Sequence, residues 1–239
     1  MYSAVPSTRA TPTEPGPESW DWAARLLHFS DSALPVGAYA HSFGLEGVCQ
    51  MGVVCDRESL GEFLGRDVAH ALLSIDLPIL ASAQRAAEAG SAAELQRLDQ
   101  LSWAMRPTRQ LREAASKIGR QQWALHQRTW GEGALSIELP HRQSPVVMGQ
   151  ICAAGGVPAM PALWSLSYQT YSALLQAALK LLPIGPAASQ QLLHAAMHAI
   201  GPSLPAVMRL PELEWGSFNP VWDIAASQHE SAAARMFIS

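Results

Sequence analysis

The stretch from Gln143 to Met208 limits the possible folds more than any other part of the chain. Among its 66 residues, Lys180 is the only Asp, Glu, Lys or Arg. Helices that are apolar all round lie inside a core or an interface. A membrane-spanning helix would need about 20 continuous apolar residues, but two glycines and two prolines interrupt residues 155–161. The stretch therefore predicts buried core helices, part of whose surface contacts another subunit.

The overall composition supports an interface and argues against nucleic acid as a partner. Charged residues make up 15% of the 239 residues, against about 25% in typical globular proteins. Because interface cores are depleted in charge, we expect an obligate oligomer or a subunit of a complex. The net charge of −4 provides no basic stripe of the kind that nucleic-acid binding requires.

Helical periodicity dominates the rest of the chain. Apolar residues between Leu60 and Ile75 recur at spacings of three and four, which predicts one buried face. Asp56 is expected to cap this helix, and Pro78 to break or kink it. Ser91 with Glu94 forms a capping-box pattern for the next helix. A further helix is predicted from Thr108 to about Arg128, with Leu111, Ala115, Ile118 and Leu125 inward.

No segment shows convincing period-two alternation, so we predict an all-α fold. It would be a single-domain helical bundle of roughly eight to ten helices over residues 20–239. Residues 1–19 are rich in Pro, Ser, Thr and Glu, without the apolar core of a signal peptide, and are expected to form a disordered tail. Three cysteines without CxxC spacing argue against a disulfide framework, so a reducing cytoplasm is expected.

The segment from Ser32 to Glu46 has the composition of a shaped connection between helices. Pro35 ends any preceding helix, while Gly37 and Gly44 allow close approaches that other residues resist. Such a segment suits a surface that a protein partner must fit. The side chains that we expect this segment to present are Tyr39, His41, Phe43 and Glu46.

Motifs for common enzyme classes are missing from the sequence. It has no P-loop, no G-x-S-x-G nucleophile elbow and no H-E-x-x-H. His194 and His198 are four residues apart, which places both imidazoles on one helix face, as in metal sites. Neither Asp, Glu nor Cys is near them in sequence, so exposed surface histidines are the competing interpretation. His41 with Cys49 and Cys55 has no diagnostic metal spacing.

Two further segments leave alternatives open. The basic residues between Arg106 and Arg120, relieved by Glu113, form either a solvated helix face or a contact for an anionic partner. Lys180 either complements the end of a helix dipole or faces an acidic group of a partner. The apolar Phe237 near the C-terminus indicates that this end docks on something.

Four blocks of the sequence, taken in order, resemble the UreF family of urease accessory proteins. They are the connection ending at Glu46, the Arg-x-x-Arg-Glu-Ala-Ala-Ser-Lys-Ile-Gly stretch over 109–119, residues 144–191, and residues 220–239. Two positions depart from the family pattern. Lys180 stands where Arg is usual and loses its planar fork, and Pro186 stands where Gln is usual and cannot donate a backbone N–H.

The resemblance implies an all-helical, non-enzymatic protein of the cytoplasm that forms homodimers. Such proteins join UreD (also called UreH), the GTPase UreG and apo-urease during nickel insertion, and the chain alone binds no cofactor. In one alternative the chain stimulates or controls GTP hydrolysis by UreG, with Arg109, Arg112 and Lys180 as candidates. In another it carries nickel directly, through His194 and His198.

The candidate partner-binding residues come from the four blocks and from the helix faces described above. No catalytic residue is assigned, and neither nucleic acid nor a membrane is expected as a partner. The candidates are Leu34, Pro35, Gly37, Tyr39, His41, Phe43, Glu46, Arg109, Glu113, Lys180, Gln191, Pro220, Asp223, His229, Glu230, Arg235 and Phe237.

Overall fold

A computed structural model describes residues 20–31, 34, 41–131, 135–228 and 236–237. Over these residues the chain is helical and contains no strand, as predicted. Counting directly joined segments as one, nine helices are described, within the predicted eight to ten. The predicted tail over 1–19 lies outside the described residues. The α-helices are α1 (Asp21–Ser30), α2 (Leu45–Gln50), α3 (Arg57–Phe63), α4 (Ala69–Ala71), α5 (Leu77–Glu88), α6 (Ala92–Ala104), α7 (Arg109–Trp130), α8 (Ser144–Ala154), α9 (Ala159–Leu181), α10 (Pro186–Ile200), α11 (Leu204–Val207) and α12 (Pro220–Gln228).

Helices α3, α4 and α5 form one continuous helix through two π-helical segments, Leu64–Val68 and Leu72–Asp76. Asp56 caps its start, since its carboxylate accepts the Ser59 N–H at 2.9 Å. The expectation that Pro78 breaks this helix is wrong. Pro78 lies in the first turn of α5, directly after a π-helical segment, and the helix continues to Glu88. Such π-segments re-space the hydrogen bonds of a helix, so an N–H missing at proline need not end it.

The start of α6 corrects a second prediction. Ser91 is the N-cap residue, but its side chain makes no capping hydrogen bond. The Glu94 carboxylate instead accepts two hydrogen bonds from Arg97, each 2.8 Å long. Because Arg97 also bonds Glu212 at 2.7 Å, this charged cluster fastens the 3₁₀ turn Glu212–Glu214 to α6. At α7, by contrast, the Thr108 hydroxyl caps the helix by accepting the Leu111 N–H at 3.3 Å.

Helices α5 and α8 form the centre of the bundle. Each contributes to both clusters of buried apolar residues, with Leu80 and Met148 in one cluster and Ile79 and Val147 in the other. They approach closely at Gly149, where an added Cβ would lie 2.8 Å from the side chain of Ala83. This central position explains why α8 carries no polar face.

The charge-poor stretch is therefore buried over α8 and much of α9, as predicted. Trp164 and Tyr168, four residues apart on α9, remain 36% and 38% exposed. None of the described helices has the length and apolar character that a membrane span requires.

Buried polar residues fix the junction between α6, α7 and α8. The fully buried carboxylate of Asp99 accepts the backbone N–H groups of residues 141–143 at 2.6–3.2 Å. Arg106 bonds Asp76 at 2.6 Å and the side-chain oxygen of Gln143 at 3.1 Å. Its side chain is only 14% exposed, so Arg106 does not belong to a solvated basic face.

Candidate functional site

An apolar cleft of about 170 Å³ opens between the π-segment before α5, helix α7, helix α9 and the start of α12. Phe43, from the connection before α2, contributes to its wall. Most of the surface that lines it is apolar, which is the usual character of a site for a ligand or a partner side chain. Its apolar and small lining residues include Ala71, Ile75, Met105, Leu111, Ala115, Ile118, Leu166, Ala173, Leu174 and Trp222.

Two carboxylates line the cleft, and they differ in what they contact. Asp76 is paired with Arg106 at 2.6 Å. Asp223, on α12, accepts no hydrogen bond from any described residue, and burial raises the pKa of its carboxyl. The cleft therefore offers one acidic group to which a cation of a partner could bind.

Three exposed apolar side chains lie on and before α12, next in sequence to residues that line the cleft. Phe218 is 84% exposed, and Val221 and Ile224 are 47% and 48% exposed. Asn219, between them, lines the cleft and donates from its side-chain amide to the Asp67 carbonyl at 3.2 Å. These three residues (218, 221 and 224) are called the apolar rim below, and the cleft and the apolar rim together are called the α12 surface. Exposed apolar side chains of this kind are suited to bury against another protein.

Glycines allow α12 to pack closely on α2. Gly44 has a φ of 83°, and a Cβ there would lie 2.7 Å from the Trp222 indole nitrogen. A Cβ at Gly47 would overlap the backbone carbonyl of Ala225. The indole N–H of Trp222 donates to the Phe43 carbonyl at 2.7 Å. The close approach that the sequence predicted at Gly44 is therefore made by Trp222 of the same chain.

The C-terminal residues dock beside this junction. The Glu46 carboxylate accepts the backbone N–H of Met236 at 2.8 Å and that of Phe237 at 3.2 Å. Phe237 is 6% exposed, and the ammonium of Lys180 lies 5.1 Å from the centre of its ring. We call this arrangement the C-terminal clasp (residues 46, 180, 236 and 237). The predicted docking of the C-terminal end thus occurs on residues of the same chain.

These positions correct the expected exposure of two candidates, His41 and Glu46, and agree with the expected docking of Phe237. His41, Glu46 and Phe237 are buried, at 5%, 4% and 6% exposure, so their side chains do not form an open contact surface in this structure. Burial, followed by the positive charge of Lys117, lowers the pKa of His41. Desolvation, followed by the negative charge of Glu46, raises the pKa of the Cys49 thiol to about 11. A role of these residues in binding a partner remains a prediction.

Other candidates lie at or near the α12 surface. Phe43 and Asp223 both line the cleft, and Pro220 is the exposed first residue of α12. Arg109 and Glu113 lie on the first turns of α7 with exposed side chains, 4.0 Å apart.

The remaining described candidates lie elsewhere. Leu34 packs on the cluster of buried residues that includes Phe29, and Gln191 accepts a 2.9 Å hydrogen bond from Arg57. Pro186 is the first residue of α10, where a missing N–H costs nothing. Six candidates fall outside the described residues, and these are Pro35, Gly37, Tyr39, His229, Glu230 and Arg235.

The histidine pair is exposed on α10, with ring centroids 6.3 Å apart. Among the described residues, no group of three or more His, Cys, Asp and Glu is placed to hold a metal ion.

Sequence reasoning missed several groups that shape the cleft. Asp76 directly precedes α5 and Arg106 follows α6, so the two residues come together only through the packing of α6 against α5. Gln169 and Thr170 line the cleft from α9, and their one signal was a polar pair in a helix whose only charged residue is Lys180. Trp222 lies in the matched C-terminal block, yet its contact with Phe43 spans 179 residues of sequence.

The fold and the site together define a class of protein: an all-helical protein with an apolar cleft that two carboxylates line. The sequence profile of the UreF family matches residues 54–197, which is more than half of the chain. The chain belongs to the UreF family, whose curated members are named urease accessory proteins.

Similarity to individual members extends over most of both chains. The urease accessory protein UreF of Azoarcus sp. (strain BH72) is 31% identical over 223 residues, covering 90% of this chain and 94% of the relative. That of Klebsiella pneumoniae subsp. pneumoniae is 30% identical over 224 residues, covering 90% and 96%. That of Rhodopseudomonas palustris (strain HaA2) is 33% identical over 224 residues, covering 90% and 92%.

Proposed function

We propose that this chain is a non-enzymatic assembly factor that joins UreD/UreH and the GTPase UreG on apo-urease while nickel is inserted. Membership in a family of urease accessory proteins supports a role in urease maturation. In this proposal nickel is cargo of the complex and the chain acts as a homodimer in the cytoplasm.

The α12 surface is the observation that carries the proposal. It combines an apolar cleft, an acidic group without a hydrogen-bond donor among the described residues, and three exposed apolar side chains on its rim. Burying an apolar side chain of a partner there would stabilise a complex by about 1.5–3 kcal/mol, and a neighbouring Lys or Arg of that partner would pair with Asp223. A protein that works by holding other proteins needs such a surface and no catalytic group.

A co-purification experiment tests the proposal. Tagged full-length chain is expected to retain untagged UreD and UreG from a mixed lysate in buffer containing a metal chelator. Val221→Asp and Ile224→Asp each place a charge on the apolar rim without filling the cleft, so each is expected to reduce recovery of at least one partner. Retention of neither partner by the native chain would overturn the proposal.

Leu27→Asp supplies the matched control. Leu27 is 73% exposed on α1 and does not line the cleft, so the same charge there should leave recovery unchanged. Circular dichroism would confirm that all variants keep their helix content. Equal recovery by the native chain and both rim variants would remove the α12 surface from the proposal and leave the assembly role itself intact.

A second candidate function is stimulation of GTP hydrolysis by UreG, and the position of Arg109 favours it. The Arg109 side chain is 62% exposed at the start of α7. Arg112 instead donates to the Arg106 carbonyl at 2.9 Å, and Lys180 lies over the Phe237 ring. Of the three cations considered, Arg109 is the best placed to reach the active site of another protein.

Turnover measurements test this second function. If Arg109 stabilises the transition state of UreG, Arg109→Ala should lower GTP turnover in the assembled complex while UreG still co-purifies. Arg120→Ala, an exposed arginine further along α7, is the matched control. Equal turnover in the native and Arg109→Ala complexes would end this candidate.

A further inference from the structure

His194 and His198 form a pair whose geometry suits a metal ion. Both side chains are exposed on α10, their ring centroids are 6.3 Å apart, and their ring planes are inclined by 38°. Histidines at positions i and i+4 of a helix are neighbours on one face. The same spacing provides two ligands to one Zn²⁺ in metalloproteases. Exposed side chains change rotamer readily, so small torsions can direct both imidazoles toward one ion.

The helix beneath the pair holds it in a defined orientation. α10 is continuous from Pro186 to Ile200, and its opposite face is anchored in the core by the buried side chains of Leu193, Ala196 and Ile200. The Cβ atoms of the two histidines are therefore fixed relative to each other by the backbone. The chain would therefore lose little conformational freedom when an ion binds to them.

The surroundings determine how strongly an ion could be held. Residues 181–208 contain no Asp, Glu, Lys or Arg, so no carboxylate of α10 itself competes for the imidazoles or completes a coordination shell. No described cluster supplies three ligands. Two nitrogen ligands from the protein leave the other positions of the ion to water, which makes binding weak and rapid exchange possible.

We propose that His194 and His198 form an exchangeable surface site for one divalent transition-metal ion. Imidazole nitrogen suits Ni²⁺, Cu²⁺ and Zn²⁺, whereas Mg²⁺ and Ca²⁺ prefer oxygen ligands. The expected order of affinity is Cu²⁺ above Ni²⁺, with Zn²⁺ also below Cu²⁺. The site goes beyond the proposed assembly role and does not depend on it.

Calorimetric titration of the full-length, tag-free and metal-stripped chain with NiCl₂ tests the site. One ion is expected to bind per chain, and CuCl₂ should bind more tightly than NiCl₂. His194→Ala and His198→Ala are each expected to weaken binding at least about tenfold, because each leaves a single imidazole. His70→Ala, at an exposed histidine of α4, should leave binding unchanged.

Two double variants separate pair geometry from histidine content. His198→Ala with Gln190→His rebuilds an i, i+4 pair with His194 at an exposed position and should restore binding. His198→Ala with Ala199→His keeps the number of histidines but spaces them five apart, and should not restore it. No Ni²⁺ or Cu²⁺ binding by the native chain, or binding unaffected by His194→Ala, would overturn the proposal. Since the partner co-purification is performed with a chelator present, its outcome is independent of this one.

Discussion

The carboxylate of Glu46 is buried at the start of α2, where it accepts the backbone N–H groups of Met236 and Phe237. A buried carboxylate is stable only when hydrogen bonds replace the lost water. Because Glu46 binds backbone N–H groups, the clasp depends more on the backbone path of the C-terminal residues than on their side chains. Phe237 adds an apolar anchor under the Lys180 ammonium.

Glu46→Gln tests the clasp. The amide retains the shape of the carboxylate but replaces one acceptor oxygen with an NH₂ donor facing a backbone N–H. We expect the free energy of unfolding to fall by about 1–2 kcal/mol, measured by urea denaturation, with faster hydrogen exchange at Met236 and Phe237. Glu58→Gln, on the exposed side of α3, is the control. Equal stability of the two variants would show that the clasp contributes nothing.

His126 contributes differently, because it is buried without a hydrogen bond from any described residue. Its ring is 2% exposed and contacts Phe29 and Trp130 at centroid distances of 5.8 and 5.1 Å. Burial, followed by the positive charge of Arg25, lowers the pKa of His126 to about 4 from its ordinary 6.5. The folded protein therefore holds this imidazole neutral where the unfolded chain would protonate it.

This difference predicts a pH dependence of stability. Between pH 6.5 and 4 the unfolded state binds more protons at His126 than the native state, so the free energy of unfolding decreases as the pH falls. The loss attributable to His126 is about 2 kcal/mol on going from neutral pH to about pH 5. Urea denaturation at both pH values should show a smaller loss in His126→Phe. A loss as large as that of the native protein would contradict the assignment.

At the scale of elements, the packing of α12 on α2 depends on two residues without side chains. Gly44 supplies a left-handed backbone conformation before α2, and Gly47 leaves room for the Ala225 carbonyl. Trp222 then lies against Phe63, with ring centroids 5.1 Å apart in an edge-to-face arrangement. Because α2 also carries Glu46, its packing on α12 places that helix beside the C-terminal clasp.

Gly47→Ala is expected to separate these two helices. The added Cβ would overlap the Ala225 carbonyl, and backbone cannot move aside as a flexible side chain can. We expect a loss of about 1–3 kcal/mol in the free energy of unfolding, with hydrogen exchange in 220–228 increasing most.

Gly65→Ala is the matched control for this packing contact. Gly65 is helical, and nothing lies within 4 Å of the added Cβ. That variant should lose no stability, because Ala favours helix over Gly. Unchanged stability and exchange in Gly47→Ala would show that the two helices are not in close contact.

At the scale of the whole molecule, the shortage of charge shapes both core and surface. α5 and α8 are buried on nearly all sides, which uses much of the apolar sequence, but aromatic side chains of α9 remain partly exposed. A charge-free surface that meets a second copy would be held by apolar burial and little affected by ionic strength.

We therefore expect a homodimer whose dissociation is insensitive to salt. Sedimentation equilibrium should give twice the chain mass of 25.7 kDa at micromolar concentration, with similar dissociation constants in low and high NaCl. An interface built on ion pairs would weaken as salt rises. A monomer in both buffers would contradict the expected dimer.

Much of the fold could be predicted because it depends on local patterns. The stripe from Leu60 to Ile75 is buried as its spacing indicates, and Asp56 caps the helix that it precedes. The predictions failed where the backbone or a side chain could satisfy its hydrogen bonds in a different way from the one that the local sequence indicates. Ser91 has a helix to cap but makes no capping bond, and Pro78 follows a π-helical segment whose hydrogen-bond pattern accommodates it.

The sequence by itself determined that the chain is helical, that its charge-poor stretch supplies buried core helices, and that it belongs among the UreF proteins, because periodicity, charge content and family blocks can be read along the chain. Only the tertiary structure decided which residues meet. It paired Asp76 with Arg106, seated Trp222 on Phe43, and buried Glu46 beneath Phe237. Contacts between residues 30 to 191 positions apart depend on how whole helices pack, and no local pattern encodes that packing.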